Sequence, residues 1–337
     1  MSRRPALLLP VLSLVLGAQE PPGPPAVPVD ELTRLLNTPV IIASRLQQSQ
    51  EEAPSAVYVV TRTDIERYGW RELADILRVL PGFDSGDDGT TLIGLSERGI
   101  WAHEGKVLLM VDGIQVSPLH NGNVNYYGSY PAELIERVEV IRGPGSALYG
   151  QFAGAAVINL ITRSAEDPEG GRFTLRTSTL GAGNVGGGGF LVANGQFANG
   201  VGLSLNVGYQ ESPFSRQPYV DTFLTGRAFP QDKGNTRREV TNLFAEVHAL
   251  GTSVHLVRAA FQEAQVDGGG SGNGNPVIPG LAPGVLGTAS RVVQGVQIQR
   301  SFPLTQGLAL EARLEELENT GGSVYPQDAS SNGVNHS

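Results

Sequence analysis

The chain has 337 residues, with 24 basic and 33 acidic side chains, a net charge of -9 and 40% hydrophobic content. That length suggests two domains, each able to bury a core, and the hydrophobic share excludes a disordered acidic tail. Lysine occurs only at Lys106 and Lys233, which argues against a nucleic-acid footprint; the absence of cysteine excludes disulfides, thiolate metal sites and cysteine nucleophiles.

The 44 glycines exceed the usual share of about 7% and favour turns and strands over long helices. At the N-terminus, Arg3 and Arg4 precede an apolar run over residues 6–17 that ends in the small residues Gly17 and Ala18. This pattern reads as a signal peptide over residues 1–18. As a helix the run reaches about 18 Å, short of a hydrocarbon layer of about 30 Å. No other stretch approaches a membrane-crossing helix, so a membrane role would fall to strands.

Residues 19–45 read as a linker, with five prolines in residues 20–29. Within it Pro39, Val40, Ile41, Ile42, Ala43 and Ser44 form a brief β-capable stretch. Such a stretch can add to a partner's sheet edge or serve as an edge strand of its own domain.

Residues 46–165 are compact and mixed. Residues 56–61 read as a strand, and Thr63 with Glu66 matches a capping box for a short helix stopping at Gly69. Leu73, Ile76, Leu77 and Leu80 fall at helical spacing before Pro81 and Gly82. Residues 106–111 form an apolar strand closing in the turn Asp112-Gly113, and residues 131–136 begin like a helix with proline first. Residues 137–142 and 157–162 are strands, the former with Val138 and Val140 on one face and Glu139 and Ile141 on the other. The intermixing predicts a small α/β or α+β domain.

After residue 163 the period changes to two. Val201, Leu203, Leu205, Val207 and Tyr209 alternate with Gly202, Ser204, Asn206, Gly208 and Gln210, and similar runs follow to Leu314. About seven strands separated by Gly/Asn/Pro-rich loops fit an outer-membrane barrel, a soluble sandwich or a soluble barrel; periodicity alone does not choose. Seven strands close only a narrow barrel filled by its own side chains, so either the first domain sits outside a small β-domain or the chain is incomplete.

Few motifs carry chemistry. Residues 181–186 satisfy G-x-G-x-x-G, but further glycines follow where a helix is required, so a hairpin turn is the better reading. Asp84, Asp87 and Asp88 form an acidic cluster that fails the calcium-loop spacing and reads as a solvated loop. The five histidines, among them His120, show no ligand-pair spacing. Nothing indicates an enzyme, a metal or a cofactor. Arg98, Arg137, Glu139 and Arg142 could bond across an interface if the first domain packs on polar wall residues; ordinary surface ion pairs are the alternative.

Residues 81–83 (PGF), 107–114 (VLLMVDGI), 135–150 (IERVEVIRGPGSALYG) and 155–162 (AAVINLIT), in this order, resemble the plug domain of TonB-dependent outer-membrane receptors. Arg98-Gly99 resembles the family's earlier Arg-Gly element. The family's A-x-G-G-V-I-N segment aligns with residues 153–159, where Ala155 and Ala156 replace both glycines.

The resemblance implies a mixed α/β plug (residues 46–165) followed by antiparallel strands of an incomplete transmembrane β-barrel (residues 171–337), in the outer membrane of a Gram-negative cell. The whole family fold is a plug inside a barrel of about 22 strands. The implied function is TonB-energised uptake of a scarce large solute such as a siderophore, cobalamin or glycan. Asp84, Asp87, Asp88, His120, Asn121, Tyr126 and Tyr127 would face the solute. Residues 39–44 would be the TonB box, adding a strand to TonB, whose inner-membrane complex supplies the pull. That pull must disrupt plug–barrel contacts, for which Arg98, Arg137, Glu139 and Arg142 are the candidates, while Gly143, Gly145 and Gly150 form plug turns. The partners are TonB, outer-membrane lipid and the solute, with no nucleic acid. Open strand edges cannot stay unpaired in hydrocarbon, so the expectation is a truncated chain unable to transport alone. The alternative is a non-transporting periplasmic binding or signalling module that retains a plug.

Overall fold

The computed structural model describes residues 39–40, 48–49, 57–87, 93–102, 105–117, 128–143, 149–150, 152–167, 170–179, 185–198, 200–213, 219–220, 228–229, 237–266, 286–305 and 308–324. The signal peptide, most of the linker, Ile41, Ile42, Ala43, Ser44, Asp88, His120, Asn121, Tyr126, Tyr127 and Gly145 lie outside the described residues. Pro39–Val40 pairs antiparallel with Gln48–Ser49.

The first unit opens with β1 (Val57–Thr61) and α1 (Arg62–Tyr68). The helix is capped by Thr61 and Asp64, whose side chains bond each other's backbone N–H, and not by the expected Thr63 and Glu66. Thr61 is the last extended residue and so occupies the cap, while Glu66 pairs with Arg62 at 2.8 Å. Gly69 ends the helix at φ 67°. In α2 (Leu73–Leu77) the helical spacing holds, with Leu73, Ile76 and Leu77 all buried. Leu80 is buried too, just beyond the helix end.

Next come β2 (Phe83–Asp87), β3 (Ile93–Glu97) and β4 (Ile100–Trp101), a small antiparallel sheet. They are followed by β5 (Val107–Val111), β6 (Ile114–Gln115), β7 (Ile135–Arg142) and β8 (Ala156–Thr162). The expected helix near residue 131 is a single 3-10 turn, Ala132–Leu134, because the β-branched run from Ile135 is taken by β7.

The main sheet has the order β1-β7-β8-β5-β6, with β8 and β5 parallel at its centre. Both faces of that central pair are covered, which explains the unbroken apolar VLLMV of β5. Val107, Leu109 and Val111 join the larger core with α2; Leu108 and Met110 join a second cluster with Val57, Ile141 and Val157.

The second unit is a seven-stranded antiparallel meander: β9 (Gly171–Thr179), β10 (Val185–Gln196), β11 (Gly202–Pro213), β12 (Arg237–Ala249), β13 (Thr252–Val266), β14 (Leu286–Thr305) and β15 (Leu308–Val324). Each strand pairs with its sequence neighbour, so the sheet is an unclosed wall.

The orientation of its two faces decides what the alternation means. On β11, Leu203, Leu205 and Tyr209 are 40%, 39% and 45% exposed, whereas Ser204, Asn206 and Gln210 are 4%, 1% and 4% exposed. The polar face covers the first unit and the apolar face looks outward. A sandwich in water requires the reverse. The larger core is shared across the join, since Phe190, Val192, Phe244, Val257 and Val293 of the wall pack with the α2 and sheet residues of the first unit.

Candidate functional site

The site is the seam between the two units. Of the four residues expected to bridge it, each has described partners inside the first unit. Arg137 Nε lies 2.8 Å from Glu139 Oε1, with Glu139 fully buried. Arg142 donates to the Pro81 carbonyl at 2.8 Å and lies over the Tyr58 ring at 4.4 Å. Arg98, in the left-handed region at φ 49°, sits 3.3 Å from Glu97. Of these, the Arg142 bond to Pro81 links the main sheet to the segment leading into the small one. Arg137, Glu139 and Arg142 lie on β7, an interior strand flanked by β1 and β8. Gly143 and Gly150 have φ of 106° and 79°, and so occupy turns that disfavour a side chain. Asp84 is exposed and Asp87 closes β2, away from the described wall contacts.

The described bonds across the seam run chiefly from wall side chains to backbone carbonyls of the first unit. Ser204 Oγ and Asn206 Nδ2 donate to the Arg163 carbonyl at 2.5 and 2.8 Å. Asn242 Nδ2 donates to the Ser129 carbonyl at 3.0 Å, and Gln210 Nε2 donates to the Gly128 carbonyl. Arg313 reaches the Gly113 carbonyl. Charged pairs add to these: Arg176 with Glu133 at 3.0 Å and Arg172 with Glu66 at 2.9 Å. Buried carbonyls and amides that lack a partner are costly, so each such bond fixes register as well as contributing energy. In the sequence, Ser204, Asn206 and Gln210 stand out only as the polar half of a strand. Arg163, Arg176, Glu133 and Asn242 carry no motif signal.

Apolar contacts across the seam use glycine as a socket. A Cβ at Gly208 would lie 3.0 Å from Leu134, one at Gly295 2.8 Å from Ile114, and one at Gly202 2.9 Å from Ala165. Omitting the wall side chain at these three places lets the first unit approach the wall backbone.

Charge is buried on the same side. Arg163 is 2% exposed and pairs with Asp167 and, at 3.6 Å, with Glu136. Burial pushes the Glu136 carboxyl up, against the opposing pull of Arg163. Glu133 is likewise raised by burial, with Arg176 as its main counterweight. Asp112, at φ 50° in the turn after β5, accepts from the Thr162 N–H at 2.8 Å and the Thr162 hydroxyl at 2.7 Å. Burial pushes its carboxyl up despite those bonds. Among the described residues no group of three or more His, Cys, Asp or Glu side chains could hold a metal ion. What this arrangement can do is hold a folded unit against a wall through many individually modest, polar, reversible contacts.

Residues 49–157 match the TonB-dependent Receptor Plug Domain family. The vitamin B12 transporter BtuB of Vibrio vulnificus is 34% identical over 176 residues, which is 52% of this chain and 28% of that protein. A ferric enterobactin receptor from Pseudomonas aeruginosa, PfeA in complex with enterobactin, superposes with a TM-score of 0.55 at 19% identity, covering 80% of this chain and 42% of that one. BauA, the ferric preacinetobactin receptor from Acinetobacter baumannii, gives 0.57 at 15% identity over 86% and 41%. The chain therefore spans less than half the length of these relatives. Its first unit is thus similar to a TonB-dependent receptor plug, and the unclosed antiparallel wall that follows superposes on part of those outer-membrane receptors.

Proposed function

We propose that this chain, the plug and leading wall strands of a TonB-dependent receptor, serves the uptake of a scarce large solute of the siderophore or corrinoid type. The single observation that carries the reading is the orientation of β11, with Leu203, Leu205 and Tyr209 outward and Ser204, Asn206 and Gln210 against the plug. A strand that is apolar outside and polar toward the plug suits a lipid-embedded barrel around a removable stopper, alongside the shared apolar core at Phe190 and Phe244. The seam supports removability, because wall side chains bonded to plug carbonyls can exchange those bonds for water. The vitamin B12 transporter and the siderophore receptors that it resembles are named for such solutes, which makes cobalamin and ferric siderophores the first to try.

In this reading residues 39–44 recruit TonB by strand addition, and solute contacts fall to residues 84–91 and 119–127. The domain division follows: signal peptide 1–18, linker 19–45, plug 46–165, barrel strands from 171. The same lipid-facing residues weigh against the periplasmic-module alternative, which requires a water-facing exterior. The experiment is uptake of radiolabelled cyanocobalamin and of ferric catecholate by a Gram-negative host lacking its own receptors for both, with this chain joined to the remaining strands of a whole receptor barrel, with and without TonB. Accumulation of one of them by the joined form that disappears without TonB is expected, and none by the chain alone. Equal accumulation by the joined form in the two strains, or none of either, contradicts the proposal.

A further inference from the structure

Arg176 of β9 and Gln210 of β11 are not on neighbouring strands, yet Arg176 Nη2 donates to Gln210 Oε1. Both pair in register with Gly188 of β10, which stands between them. Adjacent strands lie about 4.8 Å apart, so two strands' separation is about 10 Å, which the Arg176 and Gln210 side chains bridge together across an empty position. Gly188 supplies the empty position: a Cβ there would meet Tyr209 O at 2.7 Å, Phe190 Cζ at 2.8 Å and Gln210 Cβ at 3.0 Å. Gly186, the last residue of the 181–186 pattern expected as a hairpin turn, and the glycines 187–189 that follow it are strand backbone from Val185 onward, with position 188 cleared for one side chain.

From that cleared place Arg176 bonds the plug as well. Its Nη1 lies 3.0 and 3.2 Å from the two Glu133 carboxylate oxygens and 3.0 Å from the Arg71 carbonyl. Its guanidinium sits 4.8 Å above the Phe190 ring. Gln210 continues to the Gly128 carbonyl, and the Gly128 N–H donates to Glu72, the residue after Arg71. The bonds therefore close a ring: wall Arg176, wall Gln210, plug Gly128, plug Glu72 and Arg71, and back to Arg176.

We propose that this ring is the clasp that holds the plug in the wall, with Arg176 its positioning residue, and that plug movement requires its opening. A guanidinium is suited to the task, since its planar fork satisfies a carboxylate, a carbonyl and an amide oxygen in one fixed plane, a geometry that the compact, non-planar ammonium of lysine does not reproduce. The inference rests on the uptake reading, because a stopper needs a releasable clasp only where something must pass.

The test uses the absence of native cysteine. Leu134→Cys places a thiol at a fully buried plug position against the wall, and its labelling by a membrane-impermeant maleimide in isolated outer membranes reports plug opening. R176M is expected to raise the labelling rate at least tenfold and R176K about threefold. G188A, which removes no member of the ring but fills the gap, should also raise it severalfold. R313M, which removes a different wall arginine from the plug, should raise it less than twofold. R176M with Q210L should label no faster than R176M alone, whereas R176M and R313M should multiply. Labelling in R176M no faster than in R313M, or multiplication of the R176M and Q210L effects, overturns the clasp. If R176M fails to fold by circular dichroism, R176K and G188A decide by the same criteria. No solute or TonB is present, so this result stands or falls apart from the uptake assay.

Discussion

Leu134 of the plug meets the wall at Gly208, where a Cβ would lie 3.0 Å from Leu134 Cδ1 and 3.1 Å from Phe190 Cδ1. Leu134 is fully buried, and its carbonyl accepts from the Arg163 N–H, so the contact lies where the plug chain turns toward the wall. Filling the socket and emptying it should both destabilise. Gly208→Val is expected to cost about 1–3 kcal/mol by overpacking. Leu134→Ala should cost about 2–5 kcal/mol by leaving a cavity. Urea unfolding of the plug followed by tryptophan fluorescence measures both; a loss below about 0.5 kcal/mol for both would mean that the socket contact is absent in solution.

The capping box of α1 gives a local prediction. Thr61→Ala removes the hydroxyl that accepts from the Asp64 N–H and frees Asp64 from its bond to the Thr61 hydroxyl. The expected loss is about 1 kcal/mol, while Thr63→Ala should be close to neutral. The same urea titration separates them, and equal losses would return the cap to Thr63.

Asp112 predicts a pH dependence. Its carboxyl is raised in the folded plug because burial disfavours the charged form. A folded plug then holds that proton more tightly than the unfolded chain does, so Asp112's contribution falls as pH rises from the ordinary carboxylate range to the raised value. Above the raised value the loss is complete, and acidification back through the window recovers it. Asp112→Asn keeps an oxygen for the Thr162 N–H and should flatten this part of the profile. The difference between wild-type and variant stability from pH 4 to pH 8 is the readout, and a difference growing toward acid in the variant's favour would reverse the assignment.

Much of the fold was legible in the sequence, because burial on both faces and on one face leave different marks. The apolar run of β5 and the strands at 137–142 and 157–162 stand where their composition puts them. The seven wall strands follow from strict alternation. Alternation could not say which face was wet, since that depends on what the sheet covers: Leu205 and Asn206 would alternate identically in a soluble barrel. Nor could the clasp be read. Arg176, Gly188 and Gln210 are separated by hairpins and meet only through register. The four charged residues favoured from the plug motif, Arg98, Arg137, Glu139 and Arg142, mark where charge sits but not which neighbour answers it.

A charge on the outer face gives a graded test of that orientation. Leu205→Arg should cost about 2–4 kcal/mol if the position lies near the bilayer midplane. Leu203→Arg, one residue from the start of β11, should cost less. Folding titrations in lipid vesicles measure the pair, and equal, negligible costs would argue against lipid contact.

The most direct measurement is a spin-label scan of β11. Single cysteines placed in turn from Leu203 to Tyr209, in a chain with none of its own, are labelled in membranes and probed with oxygen and with a water-soluble nickel chelate. Oxygen accessibility should peak at 203, 205, 207 and 209 and drop at 204, 206 and 208, with little chelate access at the oxygen peaks. High chelate access at 203, 205 and 207, or no period of two, would contradict a wall that turns its apolar face to lipid and its polar face to the plug.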